Sequence, residues 1–357
     1  MPHNNKAKEI EMSKVSVIVG GQYGSEGKGA VTGYLSQQIG WRNYGVRVAG
    51  PNAGHTVYGN GPDGETNYAW KLRTVPVTAV TDPRSTLIIA AGSEIELAVL
   101  DDELDRLDRA GYQASDRLYI DREATIIDQR HQDRERIDAM QERLGSTAKG
   151  IGAARADRIM RNAELYGGDC NTVAILQDAL TQEDTHVLIE GTQGYGLGTH
   201  AGEYPFCTSS DCRAIDFLAM AGISPWQHGI VDLDVWVVAR THPIRVAGNS
   251  GPLANETDWA TLGLEVERTT VTNKVRRVGT FDAEIVKRAV QANGGAPKAR
   301  IALTMFDYVF PELKNATIVP DEKPYRDYIE NLQAETGATV ALVGTSPTTM
   351  ATIYWNQ

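Results

Sequence analysis

Several short stretches carry residue types that can do chemistry. The first is GGQYGSEGKGA, Gly20 to Ala30, directly after the apolar run VSVIV. Glycines followed by a lysine at the start of a helix gather backbone N–H groups around an anion. The usual phosphate loop reads G-x-x-x-x-G-K-[ST]. Here five residues separate Gly21 from Gly27, and Gly29 stands where a Mg²⁺-binding Ser or Thr belongs. The loop therefore suits phosphate but not a kinase or motor-type NTPase. A glycine-rich turn with a surface lysine is the plain alternative.

PNAGHT (51–56) sets Asn52, Gly54 and His55 at a second strand end. An imidazole there can stabilise charge on a transferred phosphoryl group; a merely structural histidine is the alternative. GSTAKGIGAARADRIMRNA (145–163) offers hydroxyls, a lysine and glycines, then Arg155, Arg158 and Arg161. It fits a second phosphate cradle or, equally, a solvated helix. VTNKVRRVG (271–279) clusters Lys274, Arg276 and Arg277 in an acidic chain, which suggests a carboxylate or phosphate clamp; a plain basic surface loop is the alternative. ALTMFDY (302–308) ends a strand with Asp307, a residue type that can read a purine edge.

These stretches need a scaffold. Strands are expected at 15–20, 46–50, 85–92, 186–191, 234–240, 299–306 and 338–345, each a nearly continuous apolar run of the kind buried on both faces. Helical patterns fall at 27–39, 94–110, 130–143, 157–166, 283–292 and 324–336. Alternation of the two predicts an α/β fold with an open, mostly parallel central sheet flanked by helices. Most of the polar and glycine-rich clusters lie where strands end, which is where such sheets bind ligands. No interdomain linker shows. The expectation is a polar extension over 1–14 and one elaborated domain over 15–357.

Composition narrows the classes. The 357 residues are 41% hydrophobic and 23% charged, with a net charge of −11. That lacks the basic footprint of a nucleic-acid binder, so anionic ligands must be held by local arginines and lysines. No apolar run is long enough to span a membrane. Three cysteines and a polar N-terminus predict a cytoplasmic protein without a disulfide framework.

Together the stretches resemble adenylosuccinate synthetases. The resemblance runs nearly end to end and in the family's order: VGGQYGSEGKG, NAGHT, STAKGIG, EGTQG, YPFCTSS, IRVAG, TNKVRRVG, TMFD and VGTSPTTM. It implies that family's P-loop-NTPase-like fold. It also implies a ligase that phosphorylates O6 of a purine nucleotide and then lets aspartate displace the phosphate from C6. Lys28, with Gly27, Gly29, Ala30 and Thr56, would hold the donor phosphates. Ser25 and the Gly54 carbonyl would face Mg²⁺, and His55 would stabilise O6 and the transferred phosphoryl. Ser25, Asn52, Ala53, Thr147, Gln193, Thr208 and Val246 match positions on the acceptor nucleotide. Arg161 matches an arginine reaching into the neighbouring site of a homodimer. Thr272, Lys274 and Arg276 match the aspartate loop; Asp307, Thr345, Ser346 and Pro347 match the donor-base pocket.

Departures from the family refine this. The position of Ser25 is ordinarily aspartate, which takes the purine N1 proton. Serine there marks a phage subfamily resembling 2-aminoadenylosuccinate synthetases, which act on dGMP on the route to diaminopurine DNA. Serine leaves room for the 2-amino group of guanine, but its hydroxyl is too weak an acid to replace the carboxylate unaided. A water, aspartate itself or Ser25 as relay could move that proton. Lys274 replaces an arginine that touches the ribose 2′-hydroxyl, and an ammonium is no bidentate fork. Met305 replaces a lysine over the donor base, which favours ATP or dATP; the retained Asp307 leaves GTP open. The expected reaction joins dGMP and aspartate with ATP or dATP, in the cytoplasm of an infected host if the source is viral, with neither nucleic acid nor membrane as partner. An ordinary synthetase using IMP and GTP is the near alternative, and a regulatory nucleotide-binding ATPase the distant one.

Overall fold

The computed structural model describes residues 15–38, 42–48, 50–226, 233–269 and 273–353. Ten strands form the central sheet: β1 Val15–Gly20, β2 Arg42–Arg47, β3 Thr86–Ile89, β4 Leu118–Ile120, β5 Thr185–Glu190, β6 Leu233–Arg240, β7 Ala299–Thr304, β8 Ile318–Val319, β9 Val340–Ser346 and β10 Thr349–Ile353. Their order across the sheet is β8-β10-β9-β7-β6-β1-β5-β2-β3-β4. All neighbours run parallel except β9 and β10. All seven expected strands lie in this sheet; the short β4 and the edge pair β8 and β10 were not expected.

β1 is buried at all six positions because both its faces are covered. Val17 sits opposite Val235 on one side and Ile189 on the other. On one face Val15, Val17, Val19, Val187 and Val237 pack with Leu176, Phe217 and Ile285 from the helices Thr172–Thr181, Ala214–Ala221 and Ala283–Ala292. On the other, Ile18, Leu188 and Trp236 meet Val31 and Leu35 of α1, Lys28–Gln38. Each such buried aliphatic side chain contributes roughly 1.5–3 kcal/mol.

Chain connection reverses around β1, whose neighbours β5 and β6 come much later in sequence. That switch point opens a crevice at the carboxyl ends of the strands. The loops after β1, β2, β5, β6, β7 and β9 all emerge there.

Three helix expectations need correction. The pattern at 94–110 becomes a short strand, Glu94–Ile95, and a helix over Leu97–Arg109. The pattern at 130–143 breaks into Gln129–Ile137 and Met140–Leu144, because Ala139 adopts φ 50°. The helix expected at 157–166 runs instead over Ile151–Met160. Its start is set from a distance: the buried Glu135 carboxylate accepts from the backbone N–H of Gly150 at 2.8 Å and Gly152 at 2.7 Å. Glu135 thereby satisfies donors that a helix start leaves orphaned, and no local cap residue announces it.

Candidate active site

The crevice is a cleft of about 540 Å³. Its floor is the loop after β1. Gly21 N–H donates to Val238 O at 2.8 Å, which pins the loop to β6. The loop then winds around Glu26, whose side chain is wholly buried. That carboxylate accepts from Gln22 N at 3.2 Å, Gly24 N at 2.7 Å and Lys28 Nζ at 2.7 Å. Lys28 also donates to Gln193 O. Gly24 and Gly27 have φ of 87° and 89°, and Ser25 between them has φ 58°. This left-handed passage leaves Ser25 exposed at the cleft while Glu26 points inward. A side chain at Gly29 would meet Thr56 O at 2.8 Å, so glycine lets α1 seat against the strand His55–Gly59. The N-terminus of α1 thus faces the cleft with free N–H groups.

Next to it lies a buried triad. Arg47 Nη1 is 2.8 Å from Glu190 Oε1 and 2.6 Å from His55 Nδ1, and Glu190 also contacts that nitrogen. Arg47 Nη2 donates to Ala53 O at 2.9 Å and Arg73 O at 3.2 Å, which fixes the turn before His55. Glu190 Oε2 accepts from Val77 N at 3.0 Å. With Nδ1 engaged below, Nε2 has no partner and is the ring atom left for a ligand. Burial, then the Arg47 charge, hold the imidazole down to about 4 against the opposing pull of Glu190. His55 is therefore neutral at pH 7. Burial pushes the Glu190 carboxyl up, but Arg47 and His55 outweigh it and hold it low.

The cleft gathers most of the expected residues. Ser25, Gly27, Lys28, Gly29, Ala30, Gly54, His55 and Thr56 line its floor. Asn52, Ala53, Thr147, Gln193 and Val246 also line the cleft, with Gln193 Nε2 3.4 Å from Asn52 Oδ1. So do Lys274, Arg276, Met305, Asp307, Ser346 and Pro347. Burial raises the Asp307 carboxyl above its ordinary value. Other expected residues lie elsewhere. Thr208 does not line the cleft, but its N–H donates to the O of Leu197, which does, at 2.7 Å. The Thr345 hydroxyl is directed away from the cleft, donating to Ala316 O at 2.7 Å. Arg161 is exposed and outside the cleft, ending the helix Ile151–Met160 with φ 64°. Thr272 lies outside the described residues.

Sequence reasoning missed the buried carboxylates Glu26 and Glu190, the partly buried Glu267, and the arginines Arg47 and Arg240 that pair with two of them. Glu26 stands inside the quoted loop and Glu190 at a strand end, so a signal existed: a carboxylate amid apolar or glycine residues must be paired. It also missed Gln141 and Glu142, which line the cleft.

No group of three or more His, Cys, Asp or Glu among the described residues is placed to hold a metal ion. Ser25 and Gly54 both line the cleft, and a hydroxyl and a backbone carbonyl are the oxygens they can offer. That donor set fits a hard cation carried largely by ligand phosphates, as Mg²⁺ is. No helix among the described residues is long and apolar enough to cross a membrane.

A phosphate loop at a helix N-terminus, with basic and polar walls at the switch point of a parallel sheet, defines a nucleotide-binding α/β enzyme. The family model for adenylosuccinate synthetase matches residues 17–170 and 163–321. The adenylosuccinate synthetase of Pyrococcus horikoshii is 35% identical over 342 residues, covering 93% of this chain and 95% of that protein. That of Methanocaldococcus jannaschii is 32% identical and covers 97% and 98%. Among solved structures, the succinoaminodeoxyadenylate synthetase of cyanophage S-2L, bound to dGMP and to dATP as an energy donor, superposes with a TM-score of 0.77 at 29% identity over 96% of both chains. The chain belongs to the adenylosuccinate synthetase family, C–N-forming ligases that hydrolyse a nucleoside triphosphate.

Proposed function

We propose that this ligase joins L-aspartate to C6 of dGMP, with ATP or dATP as donor, giving N6-succino-2-amino-2′-deoxyadenylate for diaminopurine DNA. The observation that carries this is Ser25. It is the exposed residue of the floor loop, at the position where the family's aspartate would meet purine N1. A short hydroxyl leaves volume for the 2-amino group that distinguishes guanine. The likeness to a phage enzyme holding dGMP and dATP supports the reading.

In the reaction, guanine gives up its N1 proton to water, to aspartate or through Ser25 as relay, O6 takes the γ-phosphoryl and the donor leaves as its diphosphate. The aspartate amine then attacks C6, and phosphate departs with O6. Lys28 and the N-terminus of α1 hold the transferring phosphate, and His55 Nε2 meets O6 and the phosphoryl oxygens. Mg²⁺, held by donor phosphates, Ser25 and the Gly54 carbonyl, would supply charge neutralisation at the phosphoryl group. Asn52, Ala53, Thr147, Gln193, Thr208 and Val246 serve dGMP; Thr272, Lys274 and Arg276 serve aspartate; Ser346, Pro347 and Asp307 serve the donor, with Thr345 holding their segment through its bond to Ala316 O. Arg161 acts across a homodimer. It lies beside Ile159 and Met160, exposed at 72% and 66%, an apolar patch of the kind a second copy covers. The cytoplasm of an infected bacterium is the setting.

Product analysis by mass, with IMP, GMP and dGMP each against ATP, dATP and GTP, tests the reading. The expected product comes from dGMP with ATP or dATP. Ser25→Asp should shift the ratio of kcat/KM toward IMP. A native enzyme that prefers IMP and GTP establishes the second reading, an ordinary synthetase. The identity to archaeal synthetases, higher than that to the phage structure, favours that alternative.

A further inference from the structure

A carboxylate bonded to the cleft-lining Arg276 and Tyr308 joins three loops at once. Glu267 and Arg276 face each other at the base of a hairpin, where Arg276 N–H donates to Glu267 O at 2.9 Å. Thr269 N–H to Lys274 O, 2.9 Å, and Arg268 Nη1 to Asn273 O, 3.1 Å, continue it. The Glu267 side chain accepts from Arg276 Nη1 at 3.0 Å, Arg240 Nη1 at 3.2 Å and Tyr308 Oη at 3.0 Å, and from Arg240 Nη2 as well. Arg240 in turn reaches the floor loop. Its Nη1 donates to Ser25 O at 3.3 Å, and its backbone exchanges two bonds of 3.0 Å with the Gln22 amide. Tyr308 follows Asp307 in the donor-base segment. Glu267 thus touches, directly or through one arginine, the loops assigned to all three substrates.

Charge and unmet donors give this a direction. Two guanidiniums share one carboxylate, which leaves one net positive charge; Lys274 at the cleft adds a second. That matches the two carboxylates of aspartate. The Nε atoms of Arg276 and Arg240 are buried without partners, and Arg276 lines the cleft. A fixed guanidinium with an unmet donor is prepared for an incoming carboxylate. Burial pushes the Glu267 carboxyl up, but Arg240 and Arg276 pull it down to about 2, so it is ionised throughout the working range. Burial and the Glu267 charge push the Tyr308 phenol up to about 12, so its proton stays available to donate.

We propose that Glu267 is a positioning residue that holds Arg276 for aspartate and, through Tyr308, makes aspartate binding depend on the donor nucleotide. This rests on the aspartate role given to Arg276 above. It does not depend on which purine is the acceptor.

Calorimetry tests it without turnover: the Kd of L-aspartate is measured on the full-length native protein with dGMP, and separately IMP, in the presence and absence of β,γ-imido-ATP with Mg²⁺. Native protein should bind aspartate about fivefold or more tightly when the donor analogue is present. Glu267→Gln should weaken aspartate binding about tenfold or more, with the Kd of the purine nucleotide changed less than about twofold. Tyr308→Phe should erase the effect of the donor analogue on aspartate. Native protein with no such effect, Glu267→Gln with unchanged aspartate affinity, or Tyr308→Phe with the full native effect overturns the proposal. Should Glu267→Gln fail to fold, Tyr308→Phe, which deletes one hydroxyl, decides the test. Failure to turn over dGMP strikes the proposed substrate and leaves these binding measurements readable.

Discussion

Two buried histidines separate what burial does from what a site does. His55 and His186 are both nearly inaccessible, and burial is the leading cause that drives both imidazoles far below their ordinary value, to about 4 and about 3. His55 lies at the carboxyl end of the sheet, lining the cleft, with Arg47 and Glu190 on Nδ1. His186 lies near the other end of the same sheet, on β5. Neither of its ring nitrogens has a hydrogen-bond partner among the described residues. The depressed value is thus no mark of function by itself. Function needs the carboxylate and guanidinium that orient the ring, and a free edge facing a ligand.

The sharpest way to break this contrast is to truncate each ring. His55→Ala should lower kcat by about 10²–10³-fold, the usual cost of one preorganised group at a developing charge. The fold should survive, because Arg47 and Glu190 still neutralise each other. Steady-state rates with a thermal melt as control check this, and a loss under about threefold would demote His55 to a structural residue.

His186→Leu should act in the opposite sense, on stability alone. The native ring stays neutral down to about pH 3, while an unfolded histidine takes a proton below about 6.5. Its contribution is therefore fully present above pH 6.5 and lost as pH falls toward 3. Between pH 8 and pH 5 that loss is about 2 kcal/mol. The leucine variant should lack that part of the acid sensitivity and keep native kcat/KM. Urea melts at the two pH values measure it; an unchanged pH slope would show that His186 is partnered after all.

The smallest effect belongs to Thr345. Its hydroxyl serves Ala316 O rather than the cleft. Thr345→Val should cost about 1 kcal/mol of stability and leave the donor KM alone. A raised donor KM would return Thr345 to the nucleotide pocket.

Local signals made much of this molecule legible. Apolar runs located seven of the ten sheet strands because parallel strands are covered on both faces. Glycines and polar residues after those runs located the cleft, since loops at the carboxyl ends of such strands converge. Where the reading failed, the deciding contact was remote. Glu135 starts the helix at Ile151 from another helix. Ala139 breaks a helical pattern that contains no glycine or proline near it. The strand expected at 46–50 begins earlier, at Arg42, because Asn43 and Gly45 interrupt the apolar pattern of its first half.

The sequence by itself determined the order of loops, their glycine turns and the serine at position 25, because those depend on residue type and near neighbours. Only the tertiary structure decided how the charges are used. Glu26 turns inward onto Lys28, Glu190 meets an arginine 143 residues away, and Glu267 joins three loops. A buried charge must find its counter-charge wherever the fold places one, and that distance in space is not written along the chain.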